Sequence, residues 1–157
     1  MVRQLRVSQV EITEGLRRVT ELASRENWLA VLVTLRANGK PSVSVLNAAV
    51  VPHPVTGESV VAFVSRGNTA KLANLRTNGE ATLVFRAGWE WISVSGPTEI
   101  AGPDDELPGV TDLRQLLRDV YHAAGGRHDD LDEYDRVMAE DRRAAVFVTP
   151  QRFATNP

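Results

Sequence analysis

The segment WLAVLVTLRANGKPSVSVLNAAVV, running from Trp28 to Val51, decides the architecture. Its first part, Trp28 to Ala37, is rich in β-branched and large apolar side chains, the composition of a strand. Asn38-Gly39 follows, a strong hairpin signal, because a two-residue hairpin turn needs the left-handed backbone that Asn and Gly tolerate. Pro41 to Val51 is then the return strand. Period two sets Ser44, Leu46 and Ala48 on one face and Val45, Asn47 and Ala49 on the other. Side chains this small let a flat ring lie close to the backbone, with strand amides or Asn47 bonding to its polar edge. The same strand would equally fill a tight barrel.

On the N-terminal side, Ser8 to Asn27 reads as a helix, with Ile12, Leu16, Val19 and Ala23 at helical spacing and Ser8 and Glu11 placed for a capping box. On the C-terminal side, Pro52 to Gly57 is a loop and Glu58 to Ser65 a third strand. Asn68 is the expected N-cap of a helix that ends at Asn78-Gly79. Ala81 to Arg86 is a fourth strand. Trp89 to Ile100 holds a fifth and a short sixth piece, with Ala87-Gly88 turning before it. Gly102 to Gly109 is a loop. Thr111 is the expected cap of a helix through Ala123, a further helix runs from Asp130 to Met138, and Ala144 to Thr149 is a last strand before Pro150. The order is α-β-β-β-α-β-β-α-α-β, mostly β with flanking helices and short turns, which closes into a small antiparallel barrel with helices packed outside. The 157 residues form one domain: an N-terminal helix over 1–27, barrel strands with one helix over 28–101, and a helical segment with the last strand over 102–157.

Composition narrows the chemistry. With no cysteine, disulfides, thiolate metal sites and cysteine nucleophiles are excluded. The formal net charge of −2 argues against general nucleic-acid binding. The charge is uneven: residues 1–100 carry 11 Lys+Arg against 8 Asp+Glu, and residues 101–157 carry 7 against 12, as a solvated acidic helical face would. No apolar run approaches the roughly 20 residues of a membrane span, and the first ten residues lack the apolar core of a signal peptide, so the expected compartment is the cytoplasm. No G-x-S-x-G motif and no Ser/His/Asp arrangement occurs, which argues against a hydrolase. His122, His128, Asp129 and Asp130 match no familiar ligand spacing, so no metal site is expected. His53 lies between two prolines with no obvious partner.

The turn Ser65-Arg66-Gly67-Asn68-Thr69-Ala70-Lys71 leads from strand into helix. It supplies a glycine, two hydroxyls, the free amides of a helix N-terminus and two cations, the ingredients of an anion site. It lacks Walker A spacing. A capped helix with solvated Arg66 and Lys71 has the same composition. Trp89 and Trp91 share a strand face, where a Trp stacks on a ring or fills a subunit contact.

The strand order, the small-residue second strand, the Ala70-Lys71-x-x-Asn74-Leu75-Arg76 run, the Gly88-Trp89 pair and the late Asp141-Arg142-Arg143 stretch together resemble one known group. It is the split β-barrel flavin/deazaflavin superfamily, pyridoxamine 5′-phosphate oxidase-like, and the sequence is most similar to its actinobacterial branch of coenzyme F420-dependent reductases. The resemblance spans about Trp28 to Pro150. It implies a homodimer with two cofactor sites at the subunit interface, a small-molecule substrate, and hydride transfer from the reduced deazaflavin to an electron-poor organic acceptor. It places Val45, Leu46 and Asn47 against the ring, Ser65, Thr69 and Lys71 on the phosphate, and Trp89 beside the ring. Asn47 is the one polar side chain from Val45 to Val51, and the mapping makes the cofactor's polar edge its partner. Where many relatives carry a basic residue two positions before the motif lysine, this chain has Thr69, with Arg66 as the candidate substitute. Oxidases that bind flavin mononucleotide (FMN) tend to carry an Arg-Lys pair and further C-terminal arginines; here Lys71 has no adjacent Arg and the tail offers Arg152. An FMN enzyme using the same pocket is the first alternative, and a non-catalytic cofactor- or haem-binding protein the second. The resemblance names no catalytic acid.

Overall fold

The computed structural model describes residues 8–156. The elements in chain order are α1 (Gln9–Arg25), β1 (Leu29–Leu35), β2 (Pro41–Pro52), β3 (Ser59–Ser65), α2 (Ala70–Thr77), β4 (Glu80–Ala87), β5 (Glu90–Ala101), α3 (Leu113–Ala123), α4 (Leu131–Glu140), β6 (Ala144–Val148) and β7 (Arg152–Thr155). The strands run β4-β1-β2-β3-β6-β5, and β4 also pairs with β5, so six strands close a barrel while β7 joins the outer edge of β5. All pairings are antiparallel.

Two strands turn the corners. β2 pairs with β1 from Pro41 to Asn47, then with β3 from Ala48 to Pro52. β5 pairs with β4 from Glu90 to Pro97, then with β6 from Thr98 to Ala101. Gly96 sits at the second corner, where a Cβ would stand 1.7 Å from the carbonyl oxygen of Thr149. Only a residue without a side chain lets the two backbones cross there.

The barrel interior holds Leu32, Phe63, Leu83, Phe85 and Val94, with Leu16, Val19 and Leu22 of α1 and Leu72 and Leu75 of α2 closing over it. A second apolar layer, with Ala62, Phe147, Leu117 and Val120, covers the outside of β3 and β6 beneath α3. This is why every residue of β6 is buried. The outer face of β1 and β2 has no such cover: Leu29, Val31, Val43 and Val45 are exposed.

Several expectations change in detail. The fifth strand is one continuous run, and Trp89 precedes it in the two-residue turn between Ala87 and Glu90, with Gly88 at φ +61°. Asn68 is left-handed at φ +58°, a conformation incompatible with the extended N-cap, so Thr69 takes that position. Asp112, not Thr111, caps α3 by accepting from Gln115 N–H. After Pro150 comes β7, which the sequence reading lacks. Val148 pairs with Thr98 whereas Arg152 pairs with Ser95, so β6 and β7 form one strand with a residue to spare around Thr149–Gln151. A bulge accommodates the missing N–H of Pro150. The expected capping box is present, with Ser8 Oγ accepting from Glu11 N–H and Glu11 Oε2 from Ser8 N–H.

Candidate functional site

The barrel is split where β2 leaves β3. From Pro41 to Asn47, β2 is paired on the β1 side alone among the named strands. Ala48 N–H is bonded to Trp28 O on that side, and antiparallel alternation therefore turns the N–H and C=O groups of Val43, Val45 and Asn47 to the free edge. The β2–β3 register, continued past its last pair, sets Leu46 level with Ser65 across the gap. The free edge of β2 thus faces the turn from β3 into α2.

That turn leaves a helix start uncapped. Thr69 occupies the N-cap position, yet its hydroxyl donates to Arg66 O at 3.1 Å instead of accepting from the first turn of α2. Ser65, almost fully buried, also donates to Arg66 O and lies 3.3 Å from the Thr69 hydroxyl. By contrast α1, α3 and α4 are each capped by a side chain, from Ser8, Asp112 and Asp130. Lys71 is half-buried in the first turn of α2, where a cation opposes the helix dipole until an anion is present. Among the described residues, Lys71 has no carboxylate partner, whereas Arg66 lies 3.5 Å from Asp141.

The expected site residues therefore separate into groups. Ser65, Arg66, Thr69 and Lys71 come together on one turn. Val45, exposed, and Asn47 face them with backbone from the free edge. Leu46 is turned away: its backbone bonds toward β1, and its side chain packs against the interior. Trp89 stands apart, 95% exposed at the tip of the β4–β5 turn. With so little of its side chain covered, Trp89 is not packed against Val45 of its own chain. The Trp89 turn is nevertheless held firmly. Arg86 donates to Gly88 O at 2.8 Å, the Asn156 amide bridges Trp89 O and Trp91 N–H, and Arg18 and Arg25 both bond Glu90. The Arg25 guanidinium, then that of Arg18, holds the Glu90 carboxyl below its ordinary range.

Two polar residues have partners that no sequence spacing signals. Asn47 Nδ2 donates to Asn27 O at 2.8 Å. Asn27 and Trp28 are consecutive left-handed residues, at φ +55° and +61°, so this bond steadies a strained link between α1 and β1. The partner of the Asn47 amide group is thus within the chain, correcting the expectation that it is the polar edge of a ligand; Oδ1 and the backbone are what Asn47 can offer one. His53, expected to lack a partner, is 5% exposed and bonds Glu99 Oε1 through Nε2 at 2.9 Å. Its Nδ1 accepts from Val55 and Thr56 N–H, which pins the proton on Nε2 and folds the β2–β3 loop around the ring.

Three cavities among the described residues lie elsewhere, and none is lined by the expected site residues. One of about 600 Å³ sits between α3 and α4, and two of about 520 Å³ lie beside α1 and beside His53. The split lies between the free edge of β2 and the β3–α2 turn.

A family model described as pyridoxamine 5′-phosphate oxidase matches residues 18–154. No curated protein matches the chain. Among solved structures, a conserved hypothetical protein from Mycobacterium tuberculosis superposes with TM-score 0.61 at 17% identity, covering 99% of this chain and 88% of that one. A structure described as an F420 reductase has TM-score 0.57 at 18% identity, over 83% and 91% of the two chains. A pyridoxamine 5′-phosphate oxidase-related, FMN-binding protein from Nostoc punctiforme has TM-score 0.56 at 14% identity, over 95% and 96%. At these identities the likeness establishes the split-barrel fold.

Proposed function

The chain belongs to the pyridoxamine 5′-phosphate oxidase family, and we propose that within it the protein is a coenzyme F420-dependent reductase acting as a homodimer. The bound reduced deazaflavin supplies a hydride for an electron-poor organic acceptor, such as a conjugated enone, an imine or a tetrapyrrole bridge. The observation that carries this reading is the uncapped start of α2, with Lys71 beside it, facing the free edge of β2 across the split.

The chain's own residues bind and orient. Lys71 and the first-turn amides of α2 hold the phosphate, since exposed N–H groups and the dipole favour an anion there. The Thr69 and Ser65 hydroxyls shape the turn from beneath, through Arg66 O. The N–H and C=O groups of Val45 and Asn47 meet the polar edge of the ring. No side chain is assigned as proton donor; solvent supplies the proton.

What covers the open side of the groove is a second copy of the chain. Leu29, Val31, Val43 and Val45 form a bare apolar face, and covering such a face drives stable association. Trp89, exposed at the tip of the β4–β5 turn, then serves the partner's groove rather than its own. Sedimentation at micromolar concentration should give a dimer; a sole species of 17.2 kDa overturns this part.

The functional test is titration of the purified protein with coenzyme F420 and with FMN, following ring fluorescence. F420 should bind, and its reduced form should be oxidised by an enone, quinone or tetrapyrrole acceptor. Tight retention of yellow flavin through purification overturns the F420 assignment in favour of FMN. F420 binding without turnover of any acceptor class favours a carrier.

A further inference from the structure

The β3–α2 turn is seated on the junction between α4 and β6. Gly67 N–H donates to Asp141 O at 3.0 Å, and a Cβ at Gly67 would stand 2.7 Å from Arg142 O. This backbone-on-backbone contact fixes the Asp141 carboxylate beside the turn. One oxygen of that carboxylate, Oδ2, serves two arginines. Arg143 donates to it from both Nε and Nη2, at 3.3 and 3.1 Å. Arg66 reaches the same oxygen through Nη2 alone, at 3.5 Å. The Arg143 pair is mostly buried, its side chains 27% and 24% exposed, whereas the Arg66 side chain is 63% exposed. Arg66 is therefore the loose partner of a carboxylate that Arg143 already satisfies.

We propose that Asp141 is a built-in rival for Arg66, withholding that guanidinium from the phosphate of the cofactor and so setting the affinity of the turn. The proposal rests on the cofactor reading above. Lys71 has no such competitor among the described residues and meets an incoming phosphate directly. Arg66 must first let go of Asp141, and an exposed pair of this length is weak enough to exchange. The two cations of the turn thus differ: Lys71 is always available, and Arg66 joins only at the expense of its tie to Asp141. Arg66, sitting at the opposite end of the turn from Thr69–Lys71, is in this sense a reserve cation whose contribution is masked in the native sequence.

The test is a set of fluorescence titrations with F420 and with the phosphate-free deazaflavin riboside, on the wild type, Asp141→Asn, Arg66→Gln and the double variant. Asp141→Asn should tighten F420 about two- to fivefold, the size of an exposed ion pair released, and leave the phosphate-free compound unchanged. The gain should vanish in the double variant. Arg66→Gln alone, with Asp141 in place, should weaken F420 less than about twofold. Unchanged or weaker F420 binding by Asp141→Asn, or a gain that survives Arg66→Gln, overturns the proposal. Should Asp141→Asn not fold, Arg66→Gln decides alone: a loss as large as that of Lys71→Ala shows Arg66 was never withheld. If the wild type binds both compounds equally, the phosphate is not on this turn, and the cofactor placement falls together with the role of Asp141.

Discussion

The side-chain amide of Asn47 donates to the carbonyl of Asn27 across 2.8 Å, tying the second strand to the first of two consecutive left-handed residues. A residue facing the candidate groove is thereby also a structural clasp. Asn47→Ala should lower stability by about 1 kcal/mol through the lost bond, a fall in Tm of about 2–4 °C for a chain of this size. Thermal unfolding of the ligand-free protein reads it. An unchanged Tm would mean that the link at Asn27 and Trp28 holds without the amide.

Lys71→Ala should weaken binding of the phosphate-bearing cofactor about ten- to a hundredfold, since a charge-assisted hydrogen bond contributes roughly 1.5–3 kcal/mol. The loss should shrink in high salt, where part of the missing attraction is already screened. A phosphate-free ring should bind wild type and variant alike. Equal binding of the full cofactor by both proteins would move the phosphate elsewhere.

Gly96→Ala should cost roughly 3 kcal/mol or more, because the added methyl would meet the Thr149 carbonyl and neither backbone can yield without opening the corner. Denaturant unfolding measures it. The other corner, at Ala48, already carries a methyl inside the barrel and serves as the contrasting position.

Glu90 links the pH response to the Trp89 turn. Its folded carboxyl is held below the usual 4.5 by Arg25 and Arg18, so the stabilisation is present above that value and is lost as pH falls through the lower folded one. Between pH 6 and pH 3 the unfolding midpoint of the wild type should therefore fall more steeply than that of Glu90→Gln, the two curves converging at the acid end. Parallel curves would assign the acid loss to other carboxylates.

What was legible in the sequence was local. Alternation, the Asn38-Gly39 turn and the Ser8 cap fix β1, β2 and α1, because each depends on neighbours a few residues away. The small-residue strand and the Ser65–Lys71 turn are both legible from neighbouring residues, and the structure sets them across the same split. What stayed hidden depends on distant partners. Asn47 finds Asn27, His53 finds Glu99 46 residues on, and Arg66 finds Asp141 75 residues on, none marked by a spacing. β7 is hidden in the sequence because Pro150 reads as a terminator, and only the one-residue slip against β5 makes room for it. That Trp89 is left exposed in a turn and not buried on a strand face depends on how β4 and β5 pair, which neither strand encodes alone.

The position of β6 has a consequence for how the chain is made. It is the stave that joins β3 to β5, and it lies near the C-terminal end of the sequence. During synthesis β1 to β5 leave the ribosome well before it, so β3 and β5 each wait with an unpaired edge for several seconds at ordinary elongation rates. Closure then depends on contacts far apart in sequence, which makes it slow. The nascent chain is most exposed to mispairing in that interval.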